Sequence, residues 1–176
     1  VVYELSDREV LASPAYLERL NKPTPWSIKM MPHHAGMVRS LCQVNASAGA
    51  GVGRYMLSVR LAPNAQQAAA LRAYLEMLVA TLPTRRGVTG AHWLERADLG
   101  QIAQTQEQRI RGQDRMADWV FLVCGYDAES LRGLMALELA PGTLETHGAT
   151  GQVQGDGSAC GAGLYGMSAT LSATEV

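Results

Sequence analysis

The sequence lacks any apolar run approaching the roughly 18 residues that a helix needs to cross a membrane. It also lacks a basic excess, because 15 Lys and Arg residues are balanced by 16 Asp and Glu residues. Binding to nucleic acid draws much of its free energy from Lys and Arg contacts with phosphates. We therefore expect neither a nucleic-acid partner nor a membrane partner.

Cysteine is scarce: the sequence has three, which is an odd number, and they lie far apart in the chain. This excludes a disulfide framework and a cysteine-based zinc site. Cys42 and Cys124 fall in strand-like runs, so we expect buried thiols in a reducing compartment. A cytoplasmic location is the corresponding prediction.

Alternating and helical apolar patterns predict an α+β domain. The strongest strand pattern covers 55–61, where Leu57, Val59 and Leu61 alternate with more polar residues. A helix is predicted over 65–82, with an apolar stripe at helical spacing, and it is followed by strands over 88–96 and 118–126. A second helix over 127–139 and a strand over 164–172 complete a β-α-β-β-α-β order, which is that of a ferredoxin-like unit.

The first 45 residues predict only β-α-β, with strands over 1–6 and 37–45, and 46–53 predicts a flexible linker. An offset of 120 positions aligns Val1-Val2-Tyr3 with Phe121-Leu122-Val123, and Asp7 with Asp127. This predicts a tandem repeat: 1–45 is the second half of a first unit, and 54–176 is a complete second unit. We expect the missing β-α-β half to precede Val1 in the intact protein.

Four segments together resemble the dimeric α/β-barrel superfamily, of the EthD-like or stress-responsive-barrel type. They are VVYELSDREVLASPAYLERL, YMLSVRL with its helix, GAHWLERAD and DWVFLVCGYDAESL. The resemblance implies two facing antiparallel sheets that enclose a pocket, and a homo-oligomer, most simply a dimer. Members of this superfamily include monooxygenases, isomerases, haem enzymes and proteins without known activity, so the fold does not fix the reaction.

His92 is the main candidate for chemistry, because its predicted strand face is otherwise apolar and carries Val88 and Leu94. A histidine in an apolar pocket is a suitable acid/base near neutral pH. Arg109 and Arg111 lie in the densest charge cluster and are candidate clamps for a substrate carboxylate. The alternatives are a hydrogen-bonded core or rim histidine, and a solvated or dimer-contacting helix face.

Aromatic residues supply candidates for binding a small apolar or aromatic ligand: Trp93, Trp119, Tyr55 and Tyr3. Core packing is the alternative for these rings. No organic cofactor is predicted, although a haem bound through His92 is an outside alternative. The His33-His34 pair indicates no metal site, because adjacent histidines on a regular element point apart and no third ligand is evident.

The segment Gly161-Ala162-Gly163-Leu164-Tyr165-Gly166 matches G-x-G-x-x-G but is not predicted to bind a dinucleotide. That fingerprint requires a strand before it and a helix after it, whereas here a loop precedes and a strand is predicted to follow.

Two functions follow as expectations. The first is a small-molecule binder or cofactor-independent enzyme, of the proton-transfer isomerase, lyase or monooxygenase type, with an apolar barrel pocket. The second is a non-catalytic oligomerisation or stress-response module whose barrel is packed.

Overall fold

The computed structural model describes residues 1–33, 38–51, 53–97, 106–111, 116–150 and 161–170. The chain divides into two compact units. One combines Val1–Arg39 with Asp98–Met116, and the other combines Ser40–Ala97 with Ala117–Val176. Each unit is described by itself below.

The first unit is helical. Its α-helices are α1 (Pro14–Asn21), α2 (Pro25–Met30) and α4 (Gln106–Arg111), with short 3₁₀ segments at Arg8–Ala12 and Met31–His33. Ser13 and Thr24 cap α1 and α2 through their hydroxyls, and a proline follows each cap. Proline suits the first helical position because its missing N–H has no helical acceptor there.

The second unit is an antiparallel sheet with helices. Its strands are β1 (Cys42–Gly49), β2 (Tyr55–Pro63), β3 (Val88–Arg96), β4 (Trp119–Gly125), β5 (Ala149–Thr150) and β6 (Gly161–Gly166). Its α-helices are α3 (Ala68–Thr81), α5 (Ala128–Ala136) and α6 (Pro141–Thr146), with a 3₁₀ turn at Leu82–Thr84. The strand order is β1-β3-β4-β2-β5, and β6 also pairs with β2.

The core lies between the sheet and the helices α3 and α5. Alternate residues of β2, β3 and β4 meet the helical stripe there, because side chains on a strand point to opposite faces in turn. The fully buried members with the largest side chains are Trp93, Phe121, Leu57, Leu61, Leu71, Leu75, Leu78, Leu82, Leu131, Leu139, Leu144 and Val59. The helices therefore cover one face of the sheet.

The predicted α+β class is confirmed, and so are the predicted elements from residue 55 to residue 136. Strand β3 has the predicted bounds, and β2, α3, β4 and α5 lie within a few residues of theirs. Among the residues that the structure describes, no helix is long and apolar enough to cross a membrane.

The strand predicted over 1–6 is wrong. Residues 1–5 have no regular secondary structure, and Val1, Val2 and Tyr3 are exposed. Strand-forming residues need a partner strand and a surface to cover before they form a ladder, and the described residues offer neither here. The predicted linker over 46–53 is also partly wrong, because Ala46–Gly49 completes β1 against β3.

The last strand begins earlier than predicted, at Gly161, and the loop predicted before it contains α6 and β5. The predicted repeat retains one local likeness. Asp7 accepts a hydrogen bond from the backbone N–H of Glu9, and Asp127 does the same from Glu129. The duplication, and the half-unit expected upstream, stay predictions.

Truncation of a core leucine in α3 tests how far this helix anchors the sheet. Leu75 is fully buried, so Leu75→Ala is expected to lower the free energy of unfolding by about 2–5 kcal/mol in urea titrations. Met77 on the same helix is 45% exposed, and Met77→Ala should change it by no more than about 0.5 kcal/mol. Equal losses in the two variants would contradict the assignment of the core.

The Asp127 cap gives a pH-dependent prediction. Its hydrogen bond from the Ser130 side chain, followed by backbone N–H donors, lowers the pKa of Asp127 below its ordinary value of 3.8. Because the pKa is lower in the folded chain, the ionised carboxylate of Asp127 stabilises the fold at any pH above its ordinary pKa. This stabilisation is lost as the pH falls through the lowered pKa of the folded state. Asp127→Ala should therefore be less stable than the unsubstituted chain near neutrality. The difference should narrow in acid, and a difference independent of pH would exclude the ionised cap.

Candidate functional site

The face of the sheet turned away from α3 and α5 carries the candidate site, and we call it the distal face. Strand register defines it, because directly paired residues share a face. Its three central rows run across the sheet in the order β1, β3, β4, β2, β6. The rows are Val44–Leu94–Val120–Arg60–Gly161, Ser47–His92–Leu122–Ser58–Gly163 and Gly49–Gly90–Cys124–Met56–Tyr165.

His92 lies near the middle of this face. Its Nδ1 is 2.8 Å from the Ser47 hydroxyl on the neighbouring strand, and its ring lies beside Gly90. The hydrogen bond to Ser47 fixes the orientation of the imidazole, while Nε2 lies on the Gly90 side. A half-buried imidazole held by one nitrogen keeps its other nitrogen for proton transfer.

A β-bulge separates His92 from one of the residues predicted to accompany it. Simple alternation places Val88 and His92 on one face, but the register shifts between Val88 and Gly90. Val88 is consequently part of the helix-side core, while Leu94 shares the distal face with His92. The predicted apolar surroundings of His92 come instead from Leu122 on β4, which pairs with it directly.

Trp93 and Trp119 lie in the helix-side core, with 1% and 3% of their surface exposed. Their ring centroids are 5.0 Å apart, and the Arg72 guanidinium lies 5.7 Å and 5.9 Å from the two rings. Trp119 also donates its Nε1–H to Glu95, which accepts a second hydrogen bond from Asn45. The structure brings these two tryptophans together but places them on the opposite side of the sheet from His92.

Of the other predicted residues, Tyr55 belongs to the second unit with His92, whereas Tyr3, Arg109 and Arg111 belong to the first unit. Tyr55 is half-buried against the helix-side core. Tyr3 is 81% exposed in the first unit, where Arg109 is an exposed residue of α4. Arg111 ends α4, and its side chain lies outside the described residues. Their roles in binding or catalysis stay predictions.

Sequence reasoning missed Ser47, Arg60 and Tyr165 on the distal face. The signal for Arg60 was present, since Met56, Ser58 and Arg60 alternate with the buried leucines and valine of β2. Ser47 was hidden because its segment was predicted to be a linker. Tyr165 was hidden because only the correct register of β6 shows which side of the sheet it occupies.

The two described cysteines are unsuited to nucleophilic chemistry. Burial raises the pKa of the Cys124 thiol. Burial also raises the pKa of Cys42, against a smaller opposing effect of the Arg96 charge. Both thiols are therefore protonated near neutral pH, and a protonated thiol is a poor nucleophile.

Metal-binding residues do not converge in the part of the chain that the structure describes: no group of three or more His, Cys, Asp or Glu side chains is arranged to hold an ion. His33 is exposed, and His34 lies outside the described residues. An open hollow of about 300 Å³ is lined by Ala15, Glu18 and Arg19 of α1 and by Lys22, which caps the C-terminal end of that helix. It contains no predicted site residue.

Comparison with protein-family models, with curated proteins and with solved structures found no match to this chain. The assignment of function therefore depends on the geometry of the residues themselves.

The contact of Arg72 with the two core tryptophans is testable by substitution. Arg72→Met keeps a long side chain and a similar helix propensity but removes the charge. We expect it to lower the free energy of unfolding by about 0.5–1 kcal/mol, the usual size of an exposed cation–π contact. Arg132→Met on α5, where the arginine forms an ion pair with the exposed Glu129, is the matched control. If urea titrations gave equal losses of unfolding free energy for the two variants, the contact between Arg72 and the tryptophans would not stabilise the fold.

Proposed function

We propose that this chain binds a small, largely apolar molecule on the distal face and that His92 acts there as an acid/base. The observation that carries the proposal is the pairing of His92 with Ser47 on a surface otherwise formed mainly by aliphatic and small residues. A surface of this kind removes apolar ligand area from water while a few polar groups fix the ligand's orientation.

Proton transfer is the reaction class that this arrangement supports best. Ser47 fixes the imidazole ring, so Nε2 is available to remove or deliver a proton at a bound carbon or oxygen. A positioned general base of this kind contributes typically about 10²–10⁴-fold to a rate. Isomerisation or elimination without an organic cofactor is therefore the proposed activity.

The strand order supports the finer architecture that the sequence predicted. Strands β2, β3, β4 and β6, with α3 and α5 between them in the chain, follow the order β3-β4-β2-β6. Neighbouring strands are antiparallel, and both helices pack on one face of the sheet, as in a ferredoxin-like unit. We further propose that a second copy covers the distal face, giving the dimeric barrel and an enclosed pocket.

The alternative is a packed oligomerisation module, and one observation favours it. Val44 and Tyr165 on the distal face are 54% and 58% exposed, and a second copy would bury such residues by direct packing. In that case no space remains for a ligand. The two proposals share a dimer and differ in what lies between its sheets.

A model proton-transfer substrate tests the leading proposal. Nitrobenzisoxazole is an uncharged aromatic probe that loses its ring C–H proton to a base while its N–O bond breaks, giving a coloured cyanophenolate. The unsubstituted chain should accelerate this reaction saturably, and His92→Ala should lose about a hundredfold or more of the acceleration.

His147→Ala is the matched control, because His147 stacks on Tyr74 of α3 on the helix side of the sheet. It should retain the activity. Equal saturable rates in the unsubstituted chain and His92→Ala would exclude His92 as the base. A dimer by light scattering that produces no rate above buffer would favour the packed module.

A further inference from the structure

The glycine-rich segment 161–166 has a structural role that its motif does not suggest. It forms β6, and two of its glycines face Arg60 and Ser58 on β2 across the distal face. A Cβ atom at Gly161 would overlap the Arg60 guanidinium, and one at Gly163 would lie 2.5 Å from the Tyr165 hydroxyl. The two glycines therefore leave room for an arginine and a tyrosine to lie flat against the sheet.

These side chains bring hydrogen-bond donors to one edge of the distal face. Arg60 donates Nε–H to the carbonyl of Gly161 at 3.4 Å, while Nη2 also lies over Gly161. The Tyr165 hydroxyl lies over Gly163, and residues two apart on a strand are roughly 7 Å apart, so the two groups are neighbours. Ser58 pairs directly with Gly163 and adds a second hydroxyl.

The charges at this edge are unbalanced in favour of an anion. The three rows of the distal face contain Arg60 and His92 but no Asp or Glu. Among the described residues, no carboxylate forms an ion pair with Arg60. A single guanidinium with two hydroxyls matches the one negative charge and the acceptor oxygens of a carboxylate.

We propose that Arg60, Tyr165 and Ser58 form a carboxylate subsite and that the ligand of the distal face is an elongated carboxylic acid. This rests on the proposed function and specifies its substrate class. Ser58, Leu122 and His92 occupy consecutive strands of one row, with Gly163 beyond Ser58. Strands are spaced about 4.8 Å apart, so the subsite over Gly163 lies roughly 14 Å from the His92 strand. A carboxylate bound there needs an apolar body that crosses Leu122 to reach His92.

Octanoate is the probe, and octanol is its uncharged counterpart at the same chain length. Binding to the full chain is measured below the micellar concentration, from the methyl NMR signals of Met56 and Leu122 and the ring signals of His92. Octanoate should shift the Met56 and Leu122 signals saturably, because its chain is long enough to reach the β4 strand from the subsite. Arg60→Gln should weaken octanoate binding at least about tenfold, the loss expected when a charge-assisted hydrogen bond is removed. Octanol binding should be unchanged by that substitution.

Matched variants separate the subsite from general effects on folding. Arg132→Gln makes the same change on α5 and should bind octanoate like the unsubstituted chain. Tyr165→Phe removes only a hydroxyl from a side chain that is 58% exposed, and should weaken octanoate binding several-fold without loss of fold. Arg60→Lys keeps the charge but loses the planar fork, so its affinity should fall between those of arginine and glutamine.

The outcomes distinguish this inference from the function on which it rests. Equal octanoate affinity in Arg60→Gln and the unsubstituted chain would overturn the subsite, even if octanol still shifts the His92 signals. Displacement of octanoate by an equal concentration of inorganic phosphate would overturn the assignment to carboxylates. Octanoate binding that depends on Arg60 but leaves the Leu122 signals unmoved would support the subsite and refute a ligand that crosses the sheet towards His92.

Discussion

The pairing of β4 between β2 and β3 is the constraint on which the rest of the structure depends. Because strand side chains alternate, this register sends Phe121 and Val123 into the core and Leu122 to the distal face. The helices then have one apolar surface to cover. The chemistry-bearing residues are left on the other surface, where packing does not dictate their identity.

The two faces of the sheet carry different residues: the helix side carries the buried aromatic rings, and the distal face carries the polar side chains of the candidate site. Trp93, Trp119 and Phe121 fill the space under α3 and α5, and they give the domain most of its buried aromatic surface. His92, Arg60 and Ser47 lie on the distal face, separated by aliphatic side chains and glycines. A ligand there meets a firm surface, since the strands that carry these groups are fixed from behind by a close-packed core.

Sequence patterns predicted the elements whose periodicity comes from burial, and they failed where partners decide the structure. Residues 55–61 and the α3 stripe were predictable because each buries one face. Val1–Leu5 has strand-forming residues without a ladder, and no local pattern reveals a missing neighbour. His92 was identifiable as a lone histidine on a strand. Its partner Ser47 was not, since the contact joins strands 45 residues apart and depends on a bulge.

The bulge in β1 means that this strand could lose one residue without a change of fold. Val44 of β1 pairs with Leu94, and Ala46 pairs with Trp93, the residue next to Leu94. Asn45 is therefore an extra residue in β1, and without it Val44 and Ala46 would be consecutive residues on opposite faces of the strand. Removing Asn45 would leave Val44 and Ser47 on their present faces and cost mainly its hydrogen bond to Glu95. A gap in the interior of a strand, ordinarily a sign that two chains have been misaligned, would here be compatible with unchanged architecture and an intact Ser47–His92 pair.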